Sequence, residues 1–442
     1  MKPQSRGYSY RIASVTSLSG FLFGFDIAII NGAIVFLRRQ FHWSELETEV
    51  AAGSLLAGCA VGASIAGALS DRFGRKIILL LSAIIFALSS IATSLPHSLG
   101  QFIAARLVAG VAIGIASMLA PLYIAEVSPA AIRGRLVSLN QLAIVIGILV
   151  SYLVGWQLSA LGDESWRWMF AVAAIPSLLF FGALFSVPES PRWLVKEGRR
   201  AEAGKILARL GEPPSQIIEI ERTIAEESGS FRQLFEKGLR RPLAIGIVLA
   251  ILQQVTGINT VLFYGSIIFT EHAGPSSTSA ALWANVLVGA INLVFTVVAL
   301  FTIDRLGRKV LLISAAGGMC LSLTVLSLVF NAGALSPARL LPWILCYVAC
   351  FAFGMGPGVW VVISELFPTR IRGRAMSLAT IALWLACLLL TVTFLSLVKA
   401  FTAAGAFRIY AVLCAVTVLF VWKFTPETKG KSLEEIEKQW KK

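Results

Sequence analysis

Two ionisable residues stand where a charge is expensive. Asp26 lies inside one apolar run and Arg106 inside another. A lone charge in such a run costs several kcal/mol, so the two are expected to pair with each other. Five amides share this kind of setting: Gln141, Gln253, Gln254, Asn259 and Asn292. An amide both donates and accepts hydrogen bonds, which suits a ligand rich in hydroxyls. Taken singly, each could instead tie one helix to another. A third set lies at the edges of apolar runs: Asp71, Arg75, Glu126, Arg133, Arg135 and Glu189, then Asp304, Arg308, Glu365, Arg372, Arg374 and Glu427. Arginine can grip a carboxylate with two parallel bonds, so these groups could clamp helix ends together. As exposed pairs they would contribute little.

Other chemistry is missing. Cysteines 59, 320, 346, 350, 387 and 414 fall in apolar runs without a CxxC pair, and read as small helix residues. His42, His97 and His272 stand at the ends of such runs. The sequence has no metal-ligand cluster, no GxxxxGK[ST] or GxGxxG loop and no nucleophile–base set. It therefore predicts no metal, no cofactor, no ATP-driven step and no enzyme.

The elements that position these residues follow from composition. Of 442 residues 57% are hydrophobic and 14% charged, and the mean hydropathy is +0.79. Soluble domains carry about 25% charged residues, so a soluble enzyme, a disordered chain and a disulfide scaffold are excluded. A bilayer core needs about 20 apolar residues as helix. Twelve such spans are expected, near 11–35, 49–70, 77–97, 100–126, 137–159, 167–187, 242–271, 281–303, 309–331, 339–364, 375–398 and 405–424. The first is too long for a signal peptide and is expected to remain in the mature protein.

Twelve spans place both termini on one side. Of 38 Lys and Arg, 31 fall in the termini or in loops on that side. Positive charge gathers in the cytoplasm, so both termini are expected there. The net charge of +14 then reflects topology, and nucleic acid is not a partner. Residues 188–241, with 20 charges in 54, read as a cytoplasmic linker carrying short surface helices. The expected domains are 1–187, the linker 188–241, 242–424 and a tail 425–442.

The chain also repeats itself. Asp71-Arg72-Phe73-Gly74-Arg75-Lys76 returns as Asp304-Arg305-Leu306-Gly307-Arg308-Lys309. Glu126 with Arg133-Gly134-Arg135 returns as Glu365 with Arg372-Gly373-Arg374, and Pro188-Glu189-Ser190 as Pro426-Glu427-Thr428. The near-constant offset makes two six-helix repeats in parallel sense.

With Gly20-Phe21-Leu22-Phe23-Gly24-Phe25-Asp26, Pro188-Glu189-Ser190-Pro191-Arg192-Trp193, Gln253-Gln254, Gly257-Ile258-Asn259 and Pro426-Glu427-Thr428-Lys429-Gly430, the chain resembles the sugar porter branch of the major facilitator superfamily over its full length. It looks most similar to bacterial proton-coupled sugar symporters, with facilitative glucose transporters as cousins. The resemblance implies alternating access and a sugar held between the halves by the five amides, with Trp360 and Trp384 as walls. It also implies that Ile148, Leu383 and Cys387 replace amides found in relatives. An Asp at position 26 marks symporters in this family.

Depth supports the pairing. At about 1.5 Å per residue, Asp26 lies roughly 22 Å from the start of its span and Arg106 roughly 9 Å from the outer start of its own, so the two meet in the outer third. Separated from Arg106, Asp26 would take up a proton. The expected function is a proton-coupled hexose or pentose symporter. The alternatives are a facilitative sugar or polyol uniporter and, remotely, a sugar sensor, which usually has a longer tail. The expected partners are sugar, protons and membrane lipid, and the expected state is monomeric. The lack of an N-x-[ST] site favours a bacterial inner membrane.

Overall fold

Lipid offers no hydrogen bonds, so each backbone amide in a span must bond within its own helix. The computed structural model describes residues 3–129, 132–213, 215–226, 234–236, 238–273, 278–332, 336–367 and 372–429. Among them no strand occurs, and twelve helical stretches are long and apolar enough to cross a membrane. The fold class is all-α, as expected.

The first half holds α1 (Pro3–Phe41), α2 (Glu45–Phe73), α3 (Arg75–Ser94), α4 (Leu99–Glu126) and α5 (Arg133–Leu158), with α6 (Ser165–Val172) and α7 (Ala174–Leu184) sharing its sixth span. The linker contains α8 (Pro191–Lys196), α9 (Arg200–Leu210) and α10 (Gln216–Glu226). The second half opens with α11 (Arg240–Val255) and α12 (Ile258–Ala273), one span broken at Gly257, where φ is +96°. Next come α13 (Thr278–Leu306) and α14 (Arg308–Asn331). Then α15 (Pro337–Cys350) runs through a π-helical turn, Phe351–Met355, into α16 (Gly356–Leu366). Finally come α17 (Arg372–Thr391) and α18 (Phe394–Phe424). α1 is longer than the expected 11–35 because the helix runs on past its apolar core into flanking polar turns, and α18 is longer than the expected 405–424 because two helices join across a kink at Thr402, whose φ is +63°.

Packing repeats with the sequence. α1 lies along α5 and α2 along α4; the counterparts are α11 along α17 and α13 along α15, and α3 packs on α6 and α7 as α14 packs on α18. Glycine makes the first two pairs close. A Cβ on Gly24 would sit 1.9 Å from the Ile144 carbonyl oxygen, and one on Gly110 2.0 Å from that of Leu55. Without a hydrophobic drive between helices in lipid, such close backbone contact supplies the attraction. The halves meet where α1 touches α12, α2 touches α17 and α5 touches α13. The linker has a small apolar cluster of its own, built on Trp193, Leu194, Val195 and Ala203.

The α1–α5 seam is directly testable. Gly24→Leu should lower stability by about 1–3 kcal/mol through overpacking. Gly7→Ala, with nothing within 4 Å of the added carbon, should not lower it. Tryptophan-fluorescence melting in detergent reads both, and a Gly24→Leu melt matching the parent would refute the close seam.

Candidate functional site

Asp26 and Arg106 meet as expected. Arg106 Nη1 donates to both Asp26 carboxylate oxygens, at 2.7 and 2.8 Å, joining α1 to α4. Both are buried, at 2% and 0% exposure. The guanidinium lies 5.2 Å from the Phe170 ring, a cation–π position. Its Nε and Nη2 find no hydrogen-bond partner. A single nitrogen thus grips the carboxylate, rather than a fork of two parallel bonds. The pair neutralises both charges yet stays easier to part than a fork.

The amides fall into two groups. Gln254 and Asn259 flank the break between α11 and α12, and Asn259 Nδ2 donates to Gln254 Oε1. The same nitrogen lies 3.0 Å from Cys387 Sγ on α17. Gln253 Nε2 donates to the carbonyls of Met355 and Gly356, at 2.9 and 3.0 Å, where the π-turn ends. Its Oε1 accepts from Gln254 at 3.3 Å. Gln253 therefore braces α11 against the tenth span with the groups that a ligand would need. Gln141 and Asn292 sit on α5 and α13, which pack together, and form no hydrogen bond among the described residues. Trp384 meets Phe23 edge to face at 5.4 Å, and its indole nitrogen is buried without a partner. Trp360 is half-buried on α16. Leu383 and Cys387 are buried.

The repeated loops build matching clusters on the face that carries the termini. Arg75 grips Glu126 with two bonds of 3.1 Å and Asp71 with one of 3.0 Å. Arg308 grips Glu365 at 3.0 and 3.3 Å. Glu189 accepts from the amides of Arg75 and Lys76, and Glu427 from those of Arg308 and Lys309. Each thus caps a helix whose own N-cap is glycine and offers no side chain. Gly74 and Gly307, at φ +93° and +90°, are required there, since a Cβ would fall 2.4 and 2.8 Å from the capping oxygen. Ser190 and Thr428 donate to Glu126 and Glu365 and complete the match.

These ion pairs lie within each half, not between halves. Of the residues expected to clamp helix ends, Arg133 and Arg135 are exposed and enter no ion pair among the described residues. Their helix starts in solvent, where a long side chain gains little from one fixed geometry. Arg374 is half-buried. The side chains of Asp304, Arg372 and His272 lie outside the described residues.

Bonds between the halves gather on the face away from the termini. Asn31 on α1 donates to the Leu262 carbonyl at 2.9 Å and accepts from the Ser266 amide at 2.7 Å, with Asn285 of α13 beside it. Tyr152 donates to the same Leu262 carbonyl at 3.2 Å. Glu49 of α2 accepts twice from Ser396 of α18. Near the terminal face, Ser377 lies 3.9 Å from Met118 Sδ, a weak contact. Sequence reasoning missed Asn31, Asn285 and Glu49, although an amide in an apolar run was the signal it used elsewhere.

The molecule has well-characterised relatives. A family model described as sugar (and other) transporter matches residues 12–440. The arabinose-proton symporter of Bacillus subtilis (strain 168) is 39% identical over 449 residues, covering 99% of this chain and 96% of that one. The D-xylose-proton symporter of Escherichia coli (strain K12) is 39% identical over 477 residues, covering 98% and 96%. The solved structure of the E. coli xylose transporter XylE in a partially occluded inward-open conformation superposes with a TM-score of 0.85 at 35% identity, covering 96% of this chain and 100% of that one. XylE bound to 6-bromo-6-deoxy-D-glucose also gives 0.85, at 36% identity and with 99% and 100% covered.

The two capping carboxylates differ in one testable way. Burial pushes Glu189 above the ordinary carboxylate range, outweighing the amides of Ser190, Lys76 and Arg75 and the Arg75 charge. Burial also acts to raise Glu427, but the amides of Lys429, Lys309, Arg308 and Thr428 together hold it below that range. Folded Glu427 thus binds its proton less readily than the unfolded chain does. Its stabilisation is present above the unfolded value and fades as pH falls through the folded one. Between about pH 6 and pH 3.5, the parent should lose more melting temperature than Glu427→Gln does. Equal losses would show that the fold does not lower the proton affinity of Glu427.

Proposed function

The chain belongs to the sugar (and other) transporter family, and from that premise we propose that it is a proton-coupled monosaccharide symporter of the plasma membrane. It works by alternating access within a major facilitator fold. The observation that carries the coupling is the buried Asp26–Arg106 pair held through one nitrogen. While paired, Asp26 stays ionised. When the helices shift and the pair parts in an apolar setting, the carboxylate takes up a proton. One proton moving down a membrane potential yields about 2.3 kcal/mol per 100 mV, enough to concentrate sugar.

In this reading Gln254, Asn259, Gln141 and Asn292 bind the sugar hydroxyls, and Trp384 and Trp360 form apolar walls. Gln253 positions the break by bracing the π-turn. Leu383 and Cys387 leave the α17 side of the site poor in hydrogen-bonding groups. The excess of Lys and Arg on the terminal face supports a cytoplasmic location for both termini. The Arg75–Glu126 and Arg308–Glu365 clusters then stiffen the cytoplasmic ends of each half, so that each rocks as a body. The protein acts as a monomer surrounded by lipid.

Two measurements test the roles. Gln254→Ala and Asn259→Ala should each weaken sugar binding by about 1–3 kcal/mol in calorimetric titration, because a hydroxyl loses its partner. Unchanged affinity in both would remove them as ligands. Asp26→Asn should abolish sugar accumulation against a gradient while counterflow exchange in vesicles persists. Accumulation at the parental level would end the coupling role of Asp26.

A further inference from the structure

We propose that Glu49 caps the first turn of α18 from across the boundary between the halves, and that this cap is the latch holding the face opposite the termini shut. Glu49 is fully buried, at 0% exposure, inside α2. One carboxylate oxygen accepts from the Ser396 backbone amide at 2.8 Å and the other from the Ser396 hydroxyl at 2.7 Å. Among the described residues Glu49 enters no ion pair, and both of its hydrogen bonds go to Ser396 at a helix start. Ser396 is the third residue of α18, and the residue before the helix, Thr393, makes no side-chain cap. The amide of Ser396 is therefore one of the orphan donors of a helix start, and that start carries a partial positive charge. Glu49 supplies from the first half the cap that the second half lacks.

The surroundings fit a latch. Outward of Glu49, Glu45 meets Lys399 at 3.4 Å, with both side chains well exposed, so that pair contributes little. On the inner side, Tyr264 of α12 stacks on Phe394 at 5.3 Å and donates to the Thr391 carbonyl at 2.7 Å, which fixes the turn that presents Ser396. Opening this face must separate α2 from α18 and break both bonds to Glu49. Water then takes over the carboxylate and the amide, so the latch holds without being irreversible.

The latch rests on the alternating-access reading, but its test needs no sugar and no proton gradient. Hydrogen exchange of the whole protein in detergent is followed by mass spectrometry over 394–400, which contains the cap, and over 258–266, which contains the Asn31-bonded Ser266 amide. In Glu49→Ala, exchange should rise about tenfold in both segments, as expected when a closed state loses roughly one hydrogen bond's stabilisation. Glu49→Gln keeps one acceptor for the amide and offers a donor to the hydroxyl, and should stay near the parent. Ser396→Ala deletes only the hydroxyl bond and should give a smaller rise in both segments; it decides the matter if Glu49→Ala fails to fold. A rise confined to 394–400 would reduce Glu49 to a local helix cap and overturn the latch. No rise in either segment, or an equal rise in Glu49→Gln, would overturn it as well.

Discussion

A carboxylate and a guanidinium cannot sit alone in a lipid-embedded bundle, and the rest of the molecule is arranged around their meeting. Asp26 and Arg106 come from helices 80 residues apart. They meet because glycine lets α1 press on α5 and α2 press on α4, which sets α4 beside α1. The grip is incomplete: one guanidinium nitrogen does the bonding, and the other two groups are left to an aromatic face and to apolar walls. In the proposed coupling, that incompleteness matters. A fully forked buried pair would be a rivet, costly to part. This pair is satisfied enough to exist and loose enough to open.

Polar groups elsewhere divide the work between the two faces. On the terminal face, each half ties its own helix ends together: Arg75 with Glu126 and Arg308 with Glu365, each beside a carboxylate capping the next helix. These bonds can persist through a rocking motion because they never cross between halves. On the opposite face, the bonds of Asn31, Tyr152 and Glu49 do cross, and must break when that face opens. The structure is thus closed on that side.

Much of this was legible in the sequence, and the reasons are physical. Spans show because lipid demands about 20 apolar residues. The repeat shows because the same cap and the same fork are built twice, with glycine fixed by its positive φ. The Asp26–Arg106 pair shows because charge in an apolar run has few ways to survive. Glu49 did not show, because it stands at the edge of a span, where an acid normally faces water. Its burial depends on the start of α18, 347 residues away. The bracing bonds of Gln253 did not show for a different reason. Amides in apolar runs look alike in sequence, and only the π-turn carbonyls reveal that its donors are already spent. Arg133 and Arg135 misled because motif membership says nothing about which arginine finds its carboxylate.

The account stands or falls on whether charge moves with sugar. The unmodified protein, reconstituted in proteoliposomes on a solid-supported membrane, should give a transient inward positive current on a jump in pentose or glucose concentration with no ion gradient imposed. That current should come with alkalinisation of the outer medium. Sugar uptake proved by counterflow in the same vesicles, with neither current nor proton movement, would contradict the account and leave Asp26–Arg106 a structural pair in a uniporter.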